Sequence, residues 1–226
     1  MSLRGQVIRH FGGGLLVIAA AMFLLAGSLR FWQGWCFLVL AWGLPFLFAL
    51  WAAKHDPQLL ERRLRIKEKS LQQMVFTVLA TGILFSAIGL SAADFRFGWT
   101  RAWPGPVPLW IEVVGQAAVL AGIGLVIWTM KVNSFAARTI EVVPGQTVIS
   151  TGPYAVVRHP MYVGGTLVAL GAPLALGSYL ASPLFVFIIP VLALRLLDEE
   201  KVLRRDLPGY EEYCQHTRFR LVPGVW

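Results

Sequence analysis

The sequence predicts an all-α integral membrane protein with about six transmembrane helices, the last two forming a short hairpin, followed by a helical cytoplasmic C-terminal tail. Three observations indicate this class. Charged residues are only 14% of the 226 residues, whereas a soluble domain carries about a quarter. These charges lie between long uncharged blocks. Lysine and arginine are concentrated in alternate connections between the blocks, as the positive-inside tendency requires.

Four uncharged blocks each predict one spanning helix. About 20 apolar residues, rising 1.5 Å each, cross the hydrocarbon core of a bilayer. The blocks that meet this requirement are 11–29, 31–53, 70–93 and 113–130. The first block lacks a small-residue cleavage site before Arg30, so we expect it to be retained as a helix rather than removed as a signal peptide.

A fifth uncharged block, 160–194, is too long for one span. As a single helix it would run roughly 50 Å, against a hydrocarbon core of roughly 30 Å. Turn-forming residues lie near its middle, at 177–179 and at Ser182-Pro183. We therefore expect a hairpin of two short helices, over 161–178 and 182–197.

The cations fix the expected orientation. With the N-terminus inside and six helices, 17 of the 20 lysines and arginines lie in the cytoplasm, and the exceptions are Arg30, Arg96 and Arg101. The sequence thus predicts a protein of a prokaryotic cytoplasmic membrane with both termini cytoplasmic. The formal net charge of +8 is explained by orientation and by contact with anionic membrane lipids, so no nucleic-acid partner is predicted.

The connections carry three further expectations. The stretch 54–69 has the pattern of a basic amphipathic helix on the membrane surface, and an orientation-setting linker explains it equally well. The proline-rich stretch 96–108 is expected to be a non-helical external loop. The two cysteines, Cys36 and Cys214, have neither disulfide nor zinc spacing, and no metal site is predicted.

The residues best suited to catalysis or ligand binding are concentrated in the stretch 146–164. Arg158 and His159 stand directly before Pro160, a residue suited to the first position of a helix. Free N–H groups at the helix start and the Arg158 fork would favour an anionic ligand group. Contact of the Arg-His pair with lipid headgroups is the alternative. Gly164, Gly171 and Ala175 share one helix face, which permits close approach of another helix or of a ligand.

A second cluster is the acidic run 198–200 at the end of the last predicted helix. Local ion pairs from Arg195 to Glu199 and from Glu200 to Arg204 are one interpretation. However, Glu199 and Glu200 leave the membrane on the same side as Arg158. A cationic wall facing an acidic wall suits an amino-acid zwitterion attached to a sulfonium cation.

This ordered pattern resembles the isoprenylcysteine carboxyl methyltransferase family over roughly 130–226. The motifs that carry the resemblance are Asn133-Ser134-Phe135, 149–154 ending in Gly-Pro-Tyr, Arg-His-Pro-x-Tyr-x-Gly at 158–164, Glu199-Glu200, Tyr210 with Tyr213, and the closing basic-proline segment 218–223. Phospholipid N-methyltransferases look related over 160–164 and Glu199-Glu200, and their Gly-x-Gly could correspond to Gly122 and Gly124.

The resemblance implies a non-Rossmann site for S-adenosylmethionine. Arg158 and His159 would be catalytic, and the cofactor would be surrounded by Tyr154, Arg158, His159, Tyr162, Gly164, Glu199 and Glu200. Which glutamate faces the cofactor, and whether Arg218 or Arg220 is the tail arginine, stays open. The division implied is a scaffold of membrane helices over 1–130 and a catalytic region over 131–226, with a cofactor-binding loop, the helical hairpin and the cytoplasmic tail.

The implied reaction is methyl transfer to a hydrophobic small molecule or a lipidated acceptor at the cytoplasmic membrane face. The acceptor would be a carboxylate, an amine or a thiol, and His159 is the candidate base for the last two. Sterol and steroid reductases that bind NADPH carry a similar motif, with asparagine where this chain has Met161. A non-enzymatic membrane protein is the remaining alternative. Transport is disfavoured because no ionisable residue lies deep within a predicted span.

Overall fold

The computed structural model describes residues 2–64, 71–136 and 140–226, and it is 74% helical, with no strand in those residues. The α-helices are α1 (Leu3–Ala26), α2 (Trp32–Leu38), α3 (Leu44–His55), α4 (Pro57–Leu64), α5 (Leu71–Phe97), α6 (Trp99–Ala102), α7 (Leu109–Val132), α8 (Pro160–Ala175), α9 (Leu184–Asp206) and α10 (Tyr210–His216). The predicted all-α class is confirmed.

Four helical stretches are long and apolar enough to cross a membrane: Leu3–Ala26, Trp32–His55, Gln73–Phe97 and Leu109–Val132. They correspond to the four predicted blocks. Large apolar side chains such as Leu16 and Leu24 point outward from α1, at 73% and 75% exposure, as lipid-facing residues do. The hairpin helices α8 and α9 do not meet the same criterion of length and composition, so a total of six spans remains a prediction.

The second span is interrupted by a π-helical turn. Residues Val39–Gly43 join α2 to α3 without breaking the helix axis into separate spans. Pro45, within the first turn of α3, follows this turn directly. Because proline has no N–H to donate and crowds the preceding turn, a local widening of the helix accommodates it.

The tightest packing joins α7 to α8 along glycines. A Cβ atom on Gly164 would lie 2.6 Å from the carbonyl oxygen of Gly122, and one on Gly171 would lie 2.8 Å from that of Gly115. The two backbones are therefore in direct contact, as small-residue stripes allow. Of the two interpretations of this stripe, the structure shows helix packing. Gly124, in contrast, faces open space, because a Cβ atom added there would meet no atom of another element within 4 Å.

The end of the bundle that contains Asp94, here called the Asp94 end, is fixed by polar contacts. The Asp94 carboxylate accepts hydrogen bonds from the backbone N–H and the hydroxyl of Thr100 and from the hydroxyl of Ser178. It thus joins α5 to the turn of the hairpin. Thr100 lies in α6, so the expectation of a wholly non-helical loop at 96–108 was wrong: the prolines begin at 104, after this single turn of helix.

The hairpin turn itself is confirmed near its predicted place. The helices end at Ala175 and resume at Leu184, whereas the sequence predicted a shorter gap between 178 and 182. The third span is longer than the predicted block, because α5 continues to Phe97. Asp94 lies in this additional part of the helix and is buried, at 3% exposure. The buried carboxylate therefore lies at the end of the span, where Thr100 and Ser178 satisfy it.

The opposite end of the bundle is here called the Arg158 end. It contains the loop between α7 and α8, the start of α1, and α4. The basic stretch predicted over 54–69 is helical over Pro57–Leu64, and 65–69 lie outside the described residues. Leu59 and Leu60 are buried on one face of α4, which is the amphipathic pattern. The predicted domain boundary at 130 falls within α7.

Candidate functional site

The connection from α7 to α8 forms one wall of the candidate site. Asn133, next after α7, donates from its amide nitrogen to the Tyr154 hydroxyl over 2.9 Å. The carbonyl of Tyr154 accepts from the Tyr213 hydroxyl of α10 over 2.7 Å. Burial raises the pKa of the Tyr154 phenol to about 12, so the phenol is protonated at neutral pH. These bonds attach the connection to both α7 and α10.

The chain's last residues hold Arg158 and His159 by their backbone. The N–H of Arg158 donates to the carbonyl of Phe219 over 2.9 Å, and that of His159 donates to the carbonyl of Arg220 over 3.0 Å. Pro160 then begins α8, as predicted. Both side chains are buried, and both stand at the start of this helix.

Glu200 lies at the centre of a buried charge cluster. Its Oε1 lies 2.9 Å from Arg158 Nε and 3.3 Å from His159 Nε2, and its Oε2 accepts from Arg220 Nε over 3.0 Å. Burial alone would raise the pKa of Glu200, but the hydrogen bond and charge of His159, with the arginines, lower it to about 2. Despite its 2.9 Å distance from Glu200, Arg158 Nε makes no directed hydrogen bond with any residue that the structure describes, so its attraction to Glu200 is a charge contact.

Glu199 takes a different direction from its neighbour. Its Oε2 accepts from the Tyr162 hydroxyl over 2.7 Å, and its Oε1 is 4.0 Å from His159 Nδ1. The imidazole of His159 therefore stands between the two glutamates. The side chain of Glu199 is 29% exposed, against 4% for Glu200, so Glu199 is accessible to a ligand.

These groups surround a cavity of about 270 Å³, here called the site cavity. Its polar walls come from the connection after α7, the start of α8, the end of α9 and α10. Its apolar walls include Leu192, Leu203 and Leu207 of the α9 region. A cavity with apolar walls and a few converging polar groups is the usual form of a small-molecule site.

Of the residues predicted for the site, the cavity wall contains Tyr154, Arg158, His159, Tyr162 and Glu199. Two others lie elsewhere. Gly164 faces Gly122 across the helix contact, because consecutive residues of α8 point in different directions, and Gly165 lines the cavity instead. Glu200 faces the arginines behind the wall. Its partners are distant in sequence, and Arg204 pairs with Glu211 of α10 rather than serving as a local partner.

The structure adds residues to which the sequence assigned no role. Tyr210 and Tyr213 line the cavity, and the Tyr-x-x-Tyr spacing on one short helix was the available signal. The Tyr210 hydroxyl is buried and has no hydrogen-bond partner among the described residues. Arg63 and Arg195 also line the cavity. Arg63 arrives from α4 through tertiary packing, which no sequence pattern indicates, whereas Arg195 lies on α9 one turn before Glu199, the spacing that predicted a local ion pair.

Of the two tail arginines between which the sequence did not decide, Arg220 is the one that contacts Glu200. Its guanidinium lies 5.4 Å from the centre of the Trp226 ring. The carbonyl of Trp226 accepts from the backbone N–H groups of residues 220–222, so the tail curls around this arginine. Arg218 is exposed.

Comparison with known proteins gives two findings. The family model described as phospholipid methyltransferase matches residues 110–207, a little under half of the chain, and this family is related to the isoprenylcysteine carboxyl methyltransferases. Delta(14)-sterol reductase TM7SF2 of Mus musculus is 30% identical over 92 residues, which are 39% of this chain and 22% of the mouse protein. This chain thus matches little more than a fifth of that relative.

The matched segment 110–207 contains α7, α8 and α9, with Arg158, His159 and both glutamates. The tail that holds these residues lies outside it. Together with the four apolar helices, the match suggests an integral membrane methyltransferase.

Proposed function

We propose that this protein transfers a methyl group from S-adenosylmethionine to a hydrophobic or membrane-associated acceptor. The observation that carries the proposal is that the lining of one cavity contains both the Arg158 cation and the Glu199 carboxylate. An amino-acid zwitterion presents the complementary pair of charges. The match to a methyltransferase family model over these same helices supports the proposal.

The residues present fit this cofactor. Arg158 would meet its carboxylate, and Glu199 would meet its ammonium or sulfonium charge. The buried Tyr210 hydroxyl has no hydrogen-bond partner among the described residues, and such a group is satisfied when a polar ligand binds beside it. Leu203 and Leu207 offer apolar surface to the ring system.

When bound, the cofactor supplies a methyl group on a sulfonium that already carries a good leaving group. The protein's task is then to align donor and acceptor and to exclude water. A carboxylate acceptor needs no base. For an amine or thiol, His159 would take the proton at Nδ1, because its Nε2 lies 3.3 Å from Glu200, whose negative charge would stabilise the imidazolium.

We further propose that α8 and α9 complete a six-helix membrane domain whose Arg158 end faces the cytoplasm. The cations support this orientation, because, of the lysines and arginines in 2–64, 71–136 and 140–226, Arg30, Arg96 and Arg101 are those at the Asp94 end. The acceptor would then reach the site cavity from the bilayer, and the protein's partners would be membrane lipids and that acceptor.

The first experiment is titration of the detergent-purified protein with S-adenosylmethionine and, separately, with NADPH, by calorimetry. We expect saturable binding of S-adenosylmethionine, weakened about tenfold or more in Glu199→Gln, because a charge-assisted contact is lost. Glu212→Gln, an exposed glutamate of α10, is the matched control and keeps the wild-type affinity. Folded protein that binds neither ligand would remove the enzyme assignment.

An NADPH-dependent reductase is the second candidate, and the similarity to a sterol reductase supports it. Arg63, Arg158 and Arg195 line the site cavity and could hold phosphate groups. The carboxylate of Glu199 in the same wall favours the zwitterion instead. Binding of NADPH with no binding of S-adenosylmethionine would establish the reductase.

A further inference from the structure

A second cavity, of about 380 Å³, lies beside the site cavity at the Arg158 end. Its walls come from α1, α3, α4 and α7. Ala49 and Ala52 of α3 leave the space open on one side, and Phe48, Ile127 and Met130 bound it on the others. We call it the apolar cavity. Three of its four helices lie outside the segment that matches the methyltransferase family model.

The lining of the apolar cavity has a definite charge character. Its ionisable side chains are His10 and Arg63, and no acidic side chain lines it among residues 2–64, 71–136 and 140–226. The remaining walls are aliphatic or aromatic. Such a cavity complements a hydrocarbon chain that ends in a negatively charged group.

The two cavities meet at Arg63, which contributes to both walls. The partition beside it is a cluster of buried Leu59, Met130 and Ala136, with Met161 packed against it. Met161 lines the site cavity, while Leu59 and Met130 line the apolar cavity. The side chains that line the two cavities thus pack directly against each other, and unbranched methionines adapt readily to a ligand.

The position of Arg63 is tied to the site. Its neighbour Arg62 donates to the carbonyl of Ser134 over 2.8 Å and lies 5.0 Å from the centre of the Phe135 ring. Ser134 and Phe135 follow Asn133, the residue that holds Tyr154. Helix α4 is therefore anchored to the connection that forms the wall of the site cavity.

We propose that the apolar cavity binds the hydrocarbon chain of a single-chain anionic amphiphile, whose charged group lies at Arg63 and whose reactive end faces the site cavity. This inference rests on the proposed methyl transfer and names the class of acceptor. Arg63 is then a specificity-determining residue, and α1, α3 and α4 form a binding site rather than a scaffold alone.

The test uses the full-length protein in phosphatidylcholine nanodiscs and a hexadecanoate probe with a photoreactive diazirine at the chain end. We expect labelling at Ile123 and Pro45, which lie about two turns farther from Arg63 along α7 and α3 than Met130 and Ala52 do, mapped by mass spectrometry. We expect about tenfold less labelling by the matching hexadecanol probe, which lacks the charge. Arg63→Gln abolishes this preference. Arg4→Gln, an exposed arginine at the same end that lines neither cavity, retains it.

Substitutions that fill the apolar cavity provide an independent test of the same proposal. Ala49→Phe and Ala52→Leu each place extra carbon atoms where the chain would lie, so labelling of Ile123 falls about tenfold. Binding of S-adenosylmethionine and the unfolding temperature report whether each variant is folded. The comparison of the two probes on the wild-type protein needs no variant to fold.

The outcomes separate the two proposals. Labelling spread over the lipid-facing surface, or equal for acid and alcohol, would identify ordinary bilayer lipid and overturn the amphiphile site. If either of these labelling results is obtained and S-adenosylmethionine still binds, the amphiphile site is wrong while the proposed methyl transfer stands. If labelling follows the expected pattern but S-adenosylmethionine does not bind, the amphiphile site stands and methyl transfer fails.

Discussion

Glu200 shows how one side chain organises the site without lining it. A carboxylate buried at 3% exposure is stable only when its partners compensate for lost hydration. Arg158, His159 and Arg220 do so from three directions. The adjacent Glu199 is left for a ligand. Two glutamates that are equivalent in sequence therefore have different functions, because successive positions on a helix point about 100° apart.

Replacing this carboxylate tests the cluster. Glu200→Gln leaves two guanidinium groups without their counter-charge, so we expect a loss of about 3 kcal/mol, at the lower end for a broken buried pair because Arg220 is partly exposed. The folded pKa of about 2 lies below the ordinary 4.5, so the stabilisation is complete above pH 4.5 and disappears as pH falls towards 2.

Thermal unfolding in detergent between pH 7 and pH 2 measures both effects. The difference between the wild type and Glu200→Gln should shrink as the pH is lowered. Glu212→Gln should follow the wild type throughout. A constant difference at all pH values would show that the cluster is not held by the Glu200 charge.

At the scale of elements, the pair α7 and α8 places the site. Their backbones touch at Gly115, Gly122, Gly164 and Gly171, so the start of α8, with Arg158 and His159 before it, has a fixed position beside α7. Glycine is needed here because any side chain would collide with backbone atoms of the other helix. The close contact takes the place of the apolar interdigitation usual between helices.

Enlarging one of these glycines should separate the helices. In Gly164→Ala, the added carbon would lie 2.6 Å from a carbonyl oxygen, and we expect a loss of about 1–3 kcal/mol, as for overpacked cores. Gly124→Ala is the control, since the same addition in α7 meets open space. Unfolding temperatures that fall equally in both variants would contradict this packing.

Much of this arrangement is predictable at the element scale, and less at the residue scale. Uncharged length predicts the helices, and turn formers predict the hairpin break. The stripe on α8 was visible, but whether its partner was a helix or a ligand depended on where α7 lies. The role of Gly164 and the position of Arg63 depend on tertiary packing, which a single sequence does not encode in any local pattern.

The whole molecule is asymmetric from one end to the other. The site cavity, the apolar cavity and α4 lie at the Arg158 end, while the Asp94 end is a compact set of turns. The stretches that carry 17 of the 20 cations are predicted to lie on the side of the site. A membrane potential and anionic lipids would therefore act on the end that carries the chemistry.

Labelling of single cysteines tests this orientation. In a background with Cys36→Ser and Cys214→Ser, Trp103→Cys lies in an exposed turn at the Asp94 end, and Glu212→Cys lies on α10. We expect a membrane-impermeant maleimide to modify the first variant in intact spheroplasts, and the second only after permeabilisation. The opposite pattern would reverse the proposed topology, and modification of both would remove the six-span arrangement.

The backbone hydrogen bonds from Arg158 to Phe219 and from His159 to Arg220 have a consequence for when the pocket forms and when it opens. Two backbone hydrogen bonds join residues some 60 positions apart, and α8, α9 and α10, which lie between them in sequence, must be in place before these bonds can form. The pocket should therefore be the last part of the protein to form after insertion. It should also be the first to open on heating, so that ligand affinity is lost while the helices are still intact.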